Sequence, residues 1–244
     1  MYELETRVVV PLPRVLGLDL SITNEVVLLW LAALVTFIVL ALACRRRGPV
    51  ARGVFQNLFE ALIEFIEKEI VRESVGPSGR RWAPFLLTLF FFILFCNLMG
   101  LAPLPGRVKS VTSSLSVTAA LAAMVFATTV VVSIRAHGPL GFLRKFCPRG
   151  VPWWLAVAMV PIELVSWLAR PISLAVRLFV NMMVGHHLLV LFIGFEIAAV
   201  WYLKTVLYVG AVLMSCFEIF VCLVQAFVFT MLAGVYIREA SEAH

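Results

Sequence analysis

Long apolar runs alternate with short polar segments along the sequence, and this pattern predicts an all-α membrane protein. A run of about 20 residues is long enough for a helix to cross the hydrocarbon core of a bilayer. Three runs have roughly this length, at 25–44, 82–104 and 115–134. Two further runs are longer, at 151–195 and 200–237. Together they predict about five membrane-embedded helices. They form a single membrane domain (1–244), since no internal repeat divides the chain.

The two longer runs predict a tilted hairpin. As one helix, 151–195 would be about 66 Å long, which is twice the roughly 30 Å hydrocarbon core. It is therefore either two spans or one strongly tilted helix. Basic residues beside membrane spans stay in the cytoplasm. Arg149 and Arg238 then both lie on the inner side, which leaves one crossing for each run and favours two long, strongly tilted helices.

The segment 54–71 predicts an amphipathic helix instead of a span. Its apolar residues recur at helical spacing, at Phe55, Leu58, Phe59, Leu62, Ile63, Ile66 and Ile70. Other positions carry charged residues, Glu60, Glu64, Glu67 and Lys68. Such a helix lies on the inner membrane surface or packs on partners. The basic cluster Arg45–Arg47 before it is expected in the cytoplasm, which makes 1–24 an external N-terminal segment.

Composition agrees with a membrane protein and argues against other classes. The chain is 62% hydrophobic and 14% charged, and its mean hydropathy is +1.02. The net charge of +6 comes with basic residues in loops beside apolar runs, so it reflects membrane topology and predicts no nucleic-acid binding. No glycine-rich phosphate loop is present, so we expect no cofactor and no ATP chemistry on this chain. Cys96, Cys216 and Cys222 lie in apolar runs, where we expect packed thiols and no metal site.

The run Pro171–Phe192 carries the candidate chemistry, because Arg177 lies inside it. An arginine at the centre of a membrane helix costs at least about 2.5–3.5 kcal/mol on insertion scales, and it cannot lose its proton to avoid that cost. Asn181, His186 and His187 follow in the same run. Ionisable groups at this depth mark ion pathways. We therefore interpret this run as the working site of an ion pathway.

Helical spacing groups the polar residues of this run. At about 100° per residue, positions four apart follow one stripe, which contains Ser173, Arg177, Asn181 and Gly185. Glu163 precedes Arg177 by fourteen residues and lies about 40° from that stripe, whereas His186 lies about 180° from Arg177. On a straight helix, Arg177 and His186 therefore face different surroundings.

The last apolar run adds a second set of polar groups. Glu218 and Gln225 are seven residues apart and share a helix face, and Tyr236 lies near that face. In an antiparallel hairpin, His186 and Glu218 come to a similar depth in the outer half, and Arg177 and Gln225 can meet near the midplane. Histidine and carboxylate groups relay protons, whereas arginine keeps its own. The pattern predicts two half-pathways separated by a positive barrier.

Structural alternatives stay open for these residues. Arg177 can be a structural arginine bonded to carbonyl groups, Glu163 can pair with Arg170, and Gln225 can link two helices by a hydrogen bond. His187 fits a structural role better than a place in the pathway. For the whole chain, the alternatives are a self-contained ion-coupled secondary transporter with an intramembrane arginine, and an assembly scaffold. The lack of an internal repeat disfavours the transporter.

Two long motifs resemble subunit a of the F-type ATP synthases, the stator channel subunit of the membrane sector. The stretch PIELVSWLARPISLAVRLFVNMMVGHHLL, which begins at Pro161, looks like the arginine helix of that family. The stretch FEIFVCLVQAFVFTMLAGVYI, which begins at Phe217, looks like its final helix. The stretch NLMGLAPLP at 97–105 is also similar. Together the matches extend from the second span to the C-terminus.

The resemblance implies a role for each polar residue near the barrier. Arg177 takes the place of the essential arginine and would face the ring of c subunits, each of which carries a membrane carboxylate. Gln225 matches the glutamine beside that arginine. Asn181 and Ser173 match polar positions that flank it. This chain would therefore be a non-catalytic channel subunit of a rotary complex and not an enzyme on its own.

The resemblance also implies two access routes and a set of partners. Glu163 matches an acidic position on the cytoplasmic route, and His186 and Glu218 match a pair on the outer route. Protons would load and unload the c-ring carboxylates through these two half-channels. The implied partners are the c-subunit ring, the b-subunit stalk and membrane lipid. We expect a bacterial inner membrane, with the N-terminus outside and the C-terminus in the cytoplasm, and we favour H⁺ over Na⁺.

Overall fold

The computed structural model describes residues 8–10, 21–45, 54–101, 111–145, 153–198 and 200–242. In this part of the chain the α-helices are α1 (Asn24–Arg45), α2 (Val54–Phe65), α3 (Ala83–Leu101), α4 (Leu115–Lys145), α5 (Trp153–Ala198) and α6 (Trp201–Ser241). A short antiparallel strand pair, β1 (Val8–Val10) and β2 (Ile22–Thr23), precedes α1. The predicted all-α class is confirmed, and the strand pair has no counterpart in the sequence prediction.

Five of the described helices are long and apolar enough to cross a membrane, which confirms the predicted number. Their candidate spans are Asn24–Leu42, Ala83–Leu101, Leu115–Pro139, Ala158–Gly185 and Tyr202–Ser241. The last two helices have 46 and 41 residues. At 1.5 Å per residue they are about 69 and 62 Å long, against roughly 30 Å for the hydrocarbon core. The predicted pair of over-long helices is therefore present.

The amphipathic segment packs against the rest of the chain. Helix α2 continues directly into a π-helix, Ile66–Val75, which is followed by a 3₁₀ turn, Gly76–Arg81. The apolar side of the π-helix is buried, with Ile66 and Ile70 at 0% exposure. The Phe65 ring lies 5.8 Å from that of Phe227 in α6. At this end of the segment the apolar face therefore packs on helices of the same chain, whereas the sequence predicts contact with the membrane surface or with partners.

Helix α3 lies at the centre of the core. Phe90 and Phe91 are almost fully buried, with their rings 5.4 Å apart in an edge-on arrangement. The neighbouring helices contribute further buried apolar side chains, which include Leu121, Val125, Leu174, Leu178, Phe229 and Ile237. A helix that is apolar on all sides is expected to lie inside a bundle or in lipid. This core holds α5 and α6 against α3 and α4.

The third span continues beyond its predicted end. The sequence predicts 115–134, and α4 extends to Lys145 with a break at Gly138, where φ is +72°. Glycine adopts this left-handed conformation without a steric penalty, and Pro139 disfavours helical geometry at the residue before it. The described part of the second span reaches Leu101, and the predicted residues 102–104 lie outside the described part of the chain.

The cysteine prediction is correct at two positions and wrong at one. Cys96 and Cys222 are buried free thiols, as expected for packed cysteines. Cys216 is a free thiol that is exposed. Cys216 precedes Glu218 by two residues, which turns it about 200° away from the buried face of α6. A long apolar run therefore does not by itself place each cysteine inside the protein.

Candidate functional site

Helices α5 and α6 form an antiparallel hairpin with a polar seam between them. The contacts that join the helices pair Arg170 with Glu239, Asn181 with Gln225, Met182 with Cys222, Gly185 with Glu218, and Phe192 with Gly210. Residue numbers fall along α6 as they rise along α5, which establishes the antiparallel direction. The polar residues predicted from two distant stretches of sequence therefore meet along one interface.

Two amides link the helices in the middle of the seam. The Asn181 Nδ2 group donates a hydrogen bond of 2.8 Å to Gln225 Oε1. Gln225 is 4% exposed, and its Nε2 group has no hydrogen-bond partner among the described residues. A buried donor without a partner carries a desolvation cost of about 1–3 kcal/mol. The Oε1 atom of Gln225 thus links the two helices, and its Nε2 group is a donor without a described partner, opposite a part of α5 one turn from Arg177.

Glycine permits the close approach of a carboxylate to α5. A Cβ atom at Gly185 would collide with the Glu218 carboxyl group, whose Cδ and Cγ would lie 3.1 Å from it. Glu218 is 6% exposed, so this acidic side chain is buried at the seam. His186 follows Gly185 directly in α5, although its side chain lies outside the described part of the structure. Glu218 therefore lies at the level of residues 185 and 186, as the antiparallel arrangement requires.

Arg177 lies at the edge of the seam and not inside it. Its side chain is exposed, and it has no ion-pair or hydrogen-bond partner among the described residues. Ser173 and Glu163 are also exposed. Positions four apart on a helix rotate by about 40° at each step. The stripe therefore turns gradually from the buried Gly185 to the exposed Arg177 and Ser173, which leaves the guanidinium available to another molecule.

The structure adds an inter-helix cluster that the sequence analysis did not predict. The Arg170 guanidinium donates to the Glu239 carboxylate, and its carbon lies 5.5 Å from the centre of the Tyr236 ring. The alternative in which Glu163 pairs with Arg170 is wrong, because Arg170 forms its ion pair with Glu239 of α6. Arg170 and Glu239 are 69 positions apart, so helical periodicity contains no signal for the pair.

Two other polar residues differ in whether their side chains have hydrogen-bond partners: His187 has one, and the buried Asn97 has none among the described residues. His187 is exposed, and its Nδ1 group donates a 2.6 Å hydrogen bond to the Met183 carbonyl of the same helix. This contact agrees with the structural interpretation of His187. Asn97 of α3 is 0% exposed, and neither polar atom of its side chain has a partner among the described residues. Among the described residues, no group of three or more His, Cys, Asp or Glu side chains can hold a metal ion.

The fold and the seam define a polytopic helical membrane protein in which an exposed arginine lies beside buried polar groups. The family model described as ATP synthase A chain matches residues 26–238. The chain is 40% identical over 246 aligned positions to ATP synthase subunit a of Magnetococcus marinus, covering 97% of this chain and 90% of that protein. It is 37% identical over 233 positions to ATP synthase subunit a of Anaplasma phagocytophilum, covering 96% and 94%.

The chain therefore belongs to the ATP synthase A chain family. As a member it is a membrane channel subunit of an ATP synthase complex and is not catalytic on its own. The resemblance of the two long motifs to this family is thus confirmed.

Proposed function

We propose that this chain is the proton-translocating stator subunit of a rotary ATP synthase, and that Arg177 separates two offset half-channels. The observation that carries the proposal is the position of Arg177. It is exposed and has no partner among the described residues, although the adjacent seam buries Glu218 and Gln225. A fixed cation in a membrane helix that lacks a counter-ion among the described residues is suited to an anionic partner from another subunit.

The outer half-channel would use the acidic end of the seam. Glu218 is buried against Gly185, next to the backbone of His186. A carboxyl group and an imidazole close together can pass a proton between them and water. We therefore assign His186 and Glu218 to the route by which protons reach the c-ring carboxylates from outside.

The inner half-channel would use the exposed polar residues of α5 on the other side of Arg177. Glu163 and Ser173 are exposed and precede Arg177 by fourteen and four residues. Both lie toward the end of α5 that follows the basic loop with Arg149, which we expect on the cytoplasmic side. Protons released from the ring near Arg177 would leave by this route.

Arg177 would act as a barrier and as an electrostatic switch. It cannot pass on a proton, so it interrupts any continuous proton path. A positive charge nearby also favours the ionised form of a carboxylate, so a c-subunit carboxyl group that arrives there would release its proton. Asn181 and Gln225 would orient the guanidinium through the amides that join the two helices. At about 200 mV, each charge that crosses the membrane releases roughly 4.6 kcal/mol.

The proposed partners follow from the same arrangement. Arg177 would face a ring of c subunits, the b-subunit stalk would hold this chain in place, and lipid would cover the remaining apolar surface. The basic cluster after the first span and the basic residues near both ends of the hairpin support an N-terminus outside and a C-terminus in the cytoplasm. The membrane would be a bacterial inner membrane, and no cofactor is required.

The central test is the replacement Arg177→Ala in the assembled complex. We expect ATP-driven proton pumping into inverted membrane vesicles to be abolished while the complex still assembles. The matched control is Arg238→Ala, which removes an exposed arginine whose described ion pair, with Glu242, is local to the end of α6. The control should pump normally. Normal pumping by Arg177→Ala would refute the proposal, and equal loss in both variants would show that the effect is unrelated to the seam.

A further inference from the structure

The cytoplasmic end of the hairpin contains a cluster that the proposed proton path does not use. Arg170 of α5 contacts two residues of α6, the Glu239 carboxylate and the Tyr236 ring. Arg170 and Tyr236 also adjoin α4, because they line a cavity of about 20 Å³ together with Thr129 of α4 and Trp167 of α5. One guanidinium therefore connects the two long helices beside a third.

The geometry points to Arg170 as a positioning residue that sets the register of α5 against α6. We infer that its ion pair with Glu239, together with its contact with Tyr236, holds Asn181 opposite Gln225 and Gly185 opposite Glu218. The inference rests on the proposed function in one respect: the register matters for pumping because it sets the depth of Arg177 in the membrane. Arg170 precedes Arg177 by seven residues on nearly the same helix face, about 10 Å along the axis.

A membrane hairpin needs such a contact for a physical reason. Lipid tails are as apolar as the side chains between helices, so no hydrophobic force selects one register over another. Packing and polar contacts must do so instead. The described contacts farther along the seam include a hydrogen bond between neutral amides, the contact between the Met182 and Cys222 sulfur atoms, and close approaches at Gly185 and Gly210. The Arg170–Glu239 pair adds opposite full charges at the inner end, where a slip by one turn would separate them.

The Arg238–Glu242 pair supplies a matched comparison. It is also an exposed ion pair near the same end of the hairpin, but it joins Arg238 in the last turn of α6 to Glu242, the residue directly after that helix. Breaking it removes an interaction of the same type without affecting the contact between helices. A general effect of surface charge would appear in both pairs, whereas a register effect would appear only when Arg170 or Glu239 is changed.

The test combines charge reversal with a direct measure of register. The variants are Arg170→Glu, Glu239→Arg, the double exchange, the conservative Arg170→Lys, and the control Arg238→Glu. Each is made in a chain in which Cys222 is the one native cysteine retained and Met182→Cys is introduced. The sulfur atoms of Met182 and Cys222 lie 3.9 Å apart, so an oxidant should join the two thiols in the native register. Cross-linking and ATP-driven pumping are then measured in assembled complexes.

We expect each single reversal to lose most of the cross-linking and most of the pumping. The double exchange should restore cross-linking and pumping. Arg170→Lys should keep most of both, because it preserves the positive charge, and Arg238→Glu should match the parent chain. If a single reversal prevents assembly, recovery of assembly by the double exchange supports the inference. Unchanged cross-linking in both single variants, or a double exchange no better than they are, would overturn it. Arg177→Ala tests the proposed function separately, because its failure would leave the cross-linking results unaffected.

Discussion

At the scale of single residues, small changes of angle along α5 decide which groups are buried. Ser173, Arg177, Asn181 and Gly185 belong to one stripe in sequence, yet Gly185 is buried while Arg177 and Ser173 are exposed. The drift of about 40° for each four-residue step explains the difference. It places the amide of Asn181 in contact with Gln225 and leaves the neighbouring guanidinium at the edge. A helix can thereby present a charge to a partner beside an interface in which Gln225 and Glu218 are buried.

Replacing Gly185 by alanine should displace the Glu218 carboxyl group. The new Cβ would collide with the end of a flexible side chain, so we expect the complex to assemble at a cost of about 1–3 kcal/mol in stability. Proton pumping should fall, because the displaced carboxyl group no longer occupies its place in the seam. ATP-driven pumping and the thermal stability of the extracted complex measure the two effects.

The control for this prediction is Gly194→Ala in the same helix. A Cβ atom at Gly194 would meet nothing within 4 Å, so both pumping and stability should stay near the parent values. Parent-like pumping by Gly185→Ala would contradict the assignment of Glu218 to the outer half-channel. A loss of the same size in both variants would point to a general effect of alanine in this helix.

At the scale of elements, the π-helix after α2 depends on a glycine in α6. A Cβ atom at Gly234 would lie 2.8 Å from Ser74 Cβ and 3.4 Å from Val75 Cγ2. The Ser74 hydroxyl group donates to the Ile70 carbonyl of its own turn, so it does not need a partner on α6. The helices are thus held together by close packing between small surfaces, which is the usual basis of helix association in membranes.

Gly234→Leu should therefore detach the π-helix from α6. Val75 is 3% exposed, so Val75→Cys in an otherwise cysteine-free chain should react slowly with a water-soluble maleimide. We expect the reaction to become fast when Gly234→Leu is added. The same leucine at Gly194, where the space is open, should leave the rate unchanged. Slow labelling in the Gly234→Leu chain would show that the π-helix stays docked without this close approach.

At the scale of the whole molecule, the described surface is too apolar for a chain that is surrounded by water. Large apolar side chains are exposed on α1, α5 and α6, with Phe37 at 71%, Ile162 at 67% and Leu213 at 65%. Extended apolar surface of this kind is covered by lipid or by other proteins. The surface of α5 that carries Arg177 includes such residues, which agrees with a proposed neighbour that is itself a membrane protein.

Extraction in a mild detergent should yield this chain together with a small c-type protein and a b-type stalk protein. The physical reason is that dissociation of those proteins would expose the apolar surface of the hairpin to the solvent, which is unfavourable. Affinity purification followed by mass spectrometry of the bound proteins measures this. The Arg177→Ala variant should retain the same partners. Purification as a lone chain that transports ions by itself would instead favour a secondary transporter.

Much of this architecture is contained in local sequence patterns. Hydropathy and helical period depend on residues within one or two turns of each other, so the five spans, the amphipathic segment and the over-long final pair are predictable one by one. The unusual polar residues are equally visible, because Arg177, Glu218 and Gln225 stand out against apolar surroundings whatever the chain does elsewhere.

What the sequence by itself determined is therefore the set of helices and the list of polar residues within them. The tertiary structure decided which of those residues meet: Asn181 with Gln225, Gly185 with Glu218, and Arg170 with Glu239. It also decided that Arg177 stays exposed and that the π-helix packs on α6. These outcomes depend on the register between helices that are distant in sequence, and register is set by packing and charge pairs that no local period contains.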